Sequence, residues 1–274
     1  MIQLTDDLIR DAFLKTGFDE KYFPAYEEKV NLTYNELQED DPDDDETTEK
    51  ESNVFSSIRI ANDYIAYYVK EIEKGHGDKW ASSIADNRCE EHEFYIIEEA
   101  YNSIEDKEQR EQELDIHANS LSDDPIFRDR YKSLFHDGEF YAHEKAEEYC
   151  EIYHRCIKAG KTALYAHAFA YEVNDCFNNR GTDYNEHTID IHAEAVEQAI
   201  EHGMDEDSAY CFGRCFLEIC DCESWWMTDD FLKDYHEDWQ KELYLYLYCK
   251  DYRYFYKQEV PEDELNNLRR ELFK

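Results

Sequence analysis

The sequence predicts an all-α fold of antiparallel helical hairpins, and three observations carry that expectation. Gly and Pro number only 8 and 4 in 274 residues, too few to punctuate a turn-rich β protein. Apolar residues recur at three- and four-residue spacing over long stretches, the period of an amphipathic helix. One punctuation pattern also repeats: a Gly, a small residue six positions on, and another four beyond that. It occurs at Gly75/Ala81/Ala85, Gly160/Ala166/Ala170 and Gly203/Ala209/Gly213.

Taken in order, residues 1–35 form an N-terminal helical hairpin. Leu8, Ile9, Ala12 and Phe13 keep helical spacing, Gly17 stops the first helix and Asp19 caps the next. Residues 36–52 carry Asp41, Asp43, Asp44, Asp45 and six Glu and Asp neighbours with almost nothing apolar. Like-charge repulsion predicts an acidic mobile loop there. Residues 53–222 hold the Gly-punctuated hairpins. Before the three Gly lie the stripes Ile65/Val69/Ile72, Ile152/Cys156/Ile157 and Ile191/Ala195/Val196/Ala199. Each Gly supplies the left-handed residue that ends one helix. Asp78, Thr162 and Asp205 stand where they can cap the next. The two small residues, one turn apart, let that helix approach its neighbour closely.

Residues 223–274 form an aromatic-rich C-terminal region. Leu243–Tyr248 alternates, and Lys250-Asp251 would suit a hairpin turn. Leu243/Leu247 and Tyr244/Tyr248 fit a helix equally, and helix is preferred in an otherwise helical chain. Pro261 with Glu262, Asp263 and Glu264 starts a last helix, with Leu265, Leu268 and Leu272 as its buried stripe.

Gly160 and Gly203 are 43 residues apart, and Gly75 and Gly160 are 85 apart, the size of one and two helical-repeat units. The segments Ile157-Lys158-Ala159-Gly160 with Tyr165-Ala166, and Ile200-Glu201-His202-Gly203 with Ala209-Tyr210, resemble tetratricopeptide and Sel1-like repeats. The resemblance covers the middle of the chain and implies a solenoid-like stack. The Trp-Leu-Gly-Tyr pattern of tetratricopeptides is absent and the unit due near residue 118 is degenerate, so no functional residue carries over. An irregular helical bundle uses Gly stops in the same way.

Charge bounds the function. Asp and Glu number 68 against 29 Lys and Arg, a formal net charge of −39, and the resulting self-repulsion opposes compaction. Hydrophobic residues at 42% and aromatics at 15% still supply a core. The charge argues against direct binding to DNA, RNA or an anionic membrane surface. No stretch approaches the roughly eighteen apolar residues of a membrane span. Residues Met1–Asp7 lack a signal-peptide pattern. Nine irregularly spaced Cys suit reduced thiols, so a cytoplasmic location is expected.

Several constellations fail on their own chemistry. A calcium loop starting at Asp41 would need Gly at Glu46 and Glu at Ser52. Glu151 and His154 lack the second Glu-x-x-His of a di-iron bundle. His192 and His202 diverge by about 80° around a helix. Cys211, Cys215 and Cys222 share a helix face, as a buried stripe of small apolar side chains would, and with Cys220 match no zinc finger. Arg110 and His117 have a ribonuclease-like spacing, but the carboxylates around them would repel RNA. With no phosphate-cradling loop and no nucleophile elbow, no catalytic residue, metal or cofactor is expected.

The acidic faces offer another role. Residues 90–115 read as one helix with Phe94, Ile97, Tyr101 and Ile104 inward. Glu99, Asp106 and Glu113 then recur about 10.5 Å apart on the opposite side, with Glu98 and Glu105 between. Phosphates of a nucleic-acid strand also form a charged row, about 3.4 Å apart along the axis. The expectation is a non-enzymatic nucleic-acid mimic that blocks a basic DNA- or RNA-binding protein. In charge and size the chain resembles acidic inhibitors of restriction and CRISPR systems. Its acidic partner-binding candidates are Glu98, Glu99, Glu105, Asp106, Glu113, Asp41, Asp43, Asp44 and Asp45. The alternative is a helical-repeat adaptor that grips a protein through Trp225, Trp226, Trp239, Tyr246 and Tyr254.

Overall fold

A computed structural model describes residues 3–39, 47–90, 95–139, 141–179, 186–221 and 235–274. Among them no strand occurs, and the fold is all-α. The helices are α1 (Asp6–Thr16), α2 (Phe23–Glu39), α3 (Thr47–Glu73), α4 (Asp78–Cys89), α5 (Ile96–Asn102), α6 (Lys107–Leu121) and α7 (Pro125–His136). They continue as α8 (Ala142–Lys158), α9 (Ala163–Asn179), α10 (Glu186–Glu201), α11 (Glu206–Asp221), α12 (Asp238–Tyr256) and α13 (Glu262–Leu272). The chain divides into two compact units, Met1–Phe140 and Tyr141–Lys274. That boundary falls inside 53–222, which the sequence presents as a single region.

In unit 1 consecutive helices pack as hairpins: α2 on α3, α3 on α4, α4 on α5, and α6 on α7. Ile9, Phe13, Tyr26, Val30, Ala61 and Ile65 are buried together at its centre. The expected N-terminal signals act as written. Gly17 is left-handed at φ +80°, and Asp19 accepts from the Lys21 N–H at 3.0 Å, capping a short 3-10 turn before α2. The acidic segment is shorter than 36–52, because its two ends are helical. Residues 36–39 finish α2 and residues 47–52 open α3, and the Asn53 amide ties the two by donating to the Leu37 carbonyl at 3.2 Å. Asp41, Asp43, Asp44 and Asp45 lie outside the described residues.

Residues 90–115 are not one helix. α5 stops at Asn102 and α6 starts at Lys107. Ser103 donates its hydroxyl back to the Ala100 carbonyl at 2.7 Å. Ile104 turns into the core, and Asp106 caps α6 by accepting from the Gln109 N–H at 2.8 Å. A break of this kind resets the helical phase, so the seven-residue row does not form.

The Gly punctuation acts as a structural device in both units. Gly75, Gly160 and Gly203 are left-handed, at φ +99°, +83° and +91°. Each donates its N–H to an Ile three residues back: Ile72, Ile157 or Ile200. The next residue's N–H reaches Glu71, Cys156 or Ala199, the paired bonds of a Schellman stop. The small residues then seal the hairpin, for Ala81, Ala85, Ala166, Ala170 and Ala209 are all fully buried. At Gly213 a Cβ would meet Val196 Cγ2 at 2.6 Å. Thr162 and Asp205 cap α9 and α11 through the N–H groups of Tyr165 and Ser208. Asp78 does not cap α4: Gly77 holds that position, and Asp78 instead accepts from the Tyr68 hydroxyl at 2.8 Å.

In unit 2, α8 packs on α9, α9 on α10, α10 on α11 and α12 on α10. Residues 238–256 are helix, not a hairpin. The last helix follows Pro261 as expected, with Leu272 buried and Leu265 and Leu268 half-buried. The thiol stripe on α11 is displaced. Phe212, Gly213 and Phe216 take its inner face, which leaves Cys211 exposed and Cys215 half-buried. The Cys220 side chain and Cys222 lie outside the described residues. Among the described residues no helix is long and apolar enough to cross a membrane.

Candidate functional site

Carboxylates in this molecule divide into those that turn inward and those that stay uncompensated, and the division locates the site. In unit 1 Glu71 and Glu113 are both buried, and Glu113 is the one brought in from α6. Capping at Asp106 sets the phase of α6 so that Glu113 points at the turn between α3 and α4. Its Oε1 accepts the Gly77 N–H at 2.9 Å and its Oε2 accepts His76 Nδ1–H at 2.8 Å. His76 is buried and stacks on Trp80 at 4.9 Å. Burial lowers the His76 pKa against the opposing pull of Glu113, so the ring is neutral at pH 7. Glu113 therefore belongs to the core, not to an acidic face. Glu98, Glu99 and Glu105 are exposed as expected, and the exposed Asp106 is occupied as a cap. Arg110 lies over the Tyr101 ring at 5.0 Å. His117 is buried against Trp80 and Tyr131, each at 5.7 Å, so this pair is packing.

In unit 2 Glu172 and Asp251 are buried, while Asp190 and Glu194 on α10 are half-buried. Lys250 of α12 reaches the latter two at 2.5 and 2.8 Å, and Lys161, from the turn before α9, at 3.5 and 3.4 Å. The Tyr165 hydroxyl also donates to Asp190. Burial by itself would raise the Asp190 carboxyl. Hydrogen bonds from Lys250 and Tyr165, with the charges of both lysines, outweigh that and hold it below its ordinary range. The network fastens α12 to α10.

Above that fastening the two helices enclose a groove of about 650 Å³. From α10 and the turn after it come Glu194, Glu197, Gln198 and His202. From α12 come Trp239, Glu242, Leu243 and Tyr246, spaced three, one and three residues apart on one face. The His202 ring lies flat on Trp239 at 4.2 Å. The indole N–H donates to Glu237 at 2.7 Å, which fixes the ring plane. Tyr246 is 57% exposed. Glu194 is neutralised by its two lysines. Glu197 accepts only the uncharged Thr162 hydroxyl, and Glu242 is exposed. Among the described residues no cation pairs with Glu197 or Glu242.

A second cavity of about 380 Å³ is lined by His167, Tyr171, Tyr210, Arg214 and their neighbours on α9 and α11. Beside the α9–α11 interface His192 is fully buried, with its Nε2 3.5 Å from Glu172 Oε2, and burial lowers its pKa. Glu151 and His154 are both exposed.

The groove gathers Trp239 and Tyr246, both expected from sequence, with Glu197 and Glu242, which were not. Tyr254 stacks on His187 at 3.8 Å instead and does not line the groove. Trp225 and Trp226 lie outside the described residues. The signal for the carboxylates was the shared face of Trp239, Glu242, Leu243 and Tyr246, but no single Glu stands out in so acidic a chain. Comparison with known protein families, with curated proteins and with solved structures finds no match to this chain.

Proposed function

We propose that the protein is a non-enzymatic acidic binding protein that occupies a basic DNA- or RNA-binding protein in place of its nucleic acid. The observation that carries this reading is the surplus of 68 acidic over 29 basic residues. Several of the cations are already paired with carboxylates of the chain, as in Lys29–Asp86, Lys132–Asp115, Arg155–Glu186 and Lys250–Asp190, and the acidic surplus remains. Exposed acids such as Glu98, Glu99 and Glu105 therefore keep their charge for a partner, where they steer encounter and pair with Lys and Arg. Inhibition of a bacterial defence nuclease is the setting suggested by analogy of charge and size. The irregularly spaced cysteines favour a cytoplasmic one.

The adaptor reading is favoured by one feature, the aromatic wall of Trp239 and Tyr246 in the unit 2 groove. The two readings separate by competition. A captured basic protein should release the acidic chain when duplex DNA or RNA is added, and release it as salt rises. Reversing Glu98, Glu99 and Glu105 together to Lys should weaken capture with the helical content unchanged. Capture that survives both high salt and excess nucleic acid would leave the adaptor reading in its place.

A further inference from the structure

We infer that the groove between α10 and α12 seats an arginine side chain of a basic protein, an inference that rests on the acidic-binding reading above. Complementarity of charge is the first argument. No Lys or Arg lines the groove. Lys161 and Lys250 are spent on Asp190 and Glu194. What remains is Glu197 on one helix and Glu242 on the other, both charged and unmatched by a cation among the described residues. A phosphate, carboxylate or nucleotide would be repelled there, and a cation completes the site.

Shape and surface chemistry select among cations. The Tyr246 ring is more than half exposed, and His202 and Trp239 form a flat stacked pair. A guanidinium is planar, weakly hydrated and stacks on aromatic faces, while its fork of N–H donors matches a carboxylate. A lysine ammonium attracts the same carboxylates as a point charge but gains less from the rings. At about 650 Å³ the groove admits a long side chain together with part of its backbone. The α9–α11 cavity also carries two acids, Glu206 and Asp207, but the chain's own Arg214 already stands among them.

The test is calorimetric titration of the full chain with tetra-arginine and tetra-lysine peptides at physiological salt. Tetra-arginine should bind about fivefold tighter than tetra-lysine, the scale of a partly exposed cation–π contact. Joint Glu197→Gln and Glu242→Gln should weaken tetra-arginine by about tenfold. Tyr246→Ala should remove the preference for arginine. A control that deletes the same charge from the exposed first turn of α13, Glu262→Gln with Asp263→Asn, should change affinity by less than about twofold. Equal losses in the groove and control variants would overturn the groove while leaving diffuse acidic binding intact. Equal affinity for the two peptides would overturn the guanidinium assignment. Failure of both peptides to bind would overturn the acidic-binding reading together with it.

Discussion

The two units use one hairpin stop and spend their carboxylates differently. At Gly75 in unit 1 the turn is closed by Glu113, a carboxylate brought from α6 to a buried imidazole and a backbone N–H. At Gly160 in unit 2 the turn presents Lys161, whose charge meets Asp190 and Glu194 with Lys250 from α12. Unit 1 thus hides a carboxylate to hold its corner. Unit 2 neutralises a half-buried pair and leaves Glu197 and Glu242 unmatched by a cation above it. Net charge alone does not separate these roles, whereas the environment of each carboxylate does.

The largest expected effect lies at the unit 1 corner. Glu113→Gln removes the charged acceptor shared by His76 and the Gly77 N–H, and its amide serves both only if the imidazole moves its proton from Nδ1 to Nε2. The loss should be about 2–3 kcal/mol, read as faster amide hydrogen exchange in α4. An unchanged exchange rate would break the contrast between the units. Acid should act on the same corner. The His76 pKa is lowered below 6.5 in the folded chain, so the unfolded chain takes up the proton first. Its contribution is full above about pH 6.5 and falls as pH drops through that value. Protection factors of the α4 amides, taken relative to their intrinsic exchange rates, should fall as pH drops below about 6.5.

The next effect tests the shared hairpin geometry. Gly213→Ala places a methyl 2.6 Å from Val196 Cγ2 and 2.8 Å from His192 Nδ1. Overpacking of this kind costs about 1–3 kcal/mol, measurable by urea unfolding. Full tolerance would show that α10 and α11 can part without penalty. A smaller loss should follow Lys250→Met. It leaves Asp190 and Glu194 to Lys161 alone at a site about three-quarters buried, and we expect about 1–2 kcal/mol. The Asp190 carboxyl, lowered from 3.8, adds stability above that pH and loses it as pH falls further, so Lys250→Met should flatten this acid limb.

Much of the fold was legible because it depends on local chemistry. Gly17, Gly75, Gly160 and Gly203 announce left-handed stops, and the buried small residues after three of them announce close helix approach. Pro261 announces the last helix. What was not legible depended on tertiary partners. Nothing local shows that Ser103–Asp106 breaks a helix whose acids otherwise run on, or that Glu113 meets His76 thirty-seven residues earlier. The helix over Leu243–Tyr248 was legible from Leu243/Leu247 and Tyr244/Tyr248 despite the alternation, but not its partner α10. The groove was half readable, through Trp239 and Tyr246, since large aromatics stand out where one Glu among many does not.

Urea unfolding of two charge-neutralised variants in one buffer separates the structural carboxylate from the unmatched ones most directly. Glu113→Gln should lose about 2–3 kcal/mol. Joint Glu197→Gln and Glu242→Gln should change stability by less than about 0.5 kcal/mol or raise it, because unmatched surface charge contributes repulsion and no pairing. A groove variant destabilised as much as Glu113→Gln would show that Glu197 and Glu242 hold the fold, and would contradict the assignment of their charge to a partner.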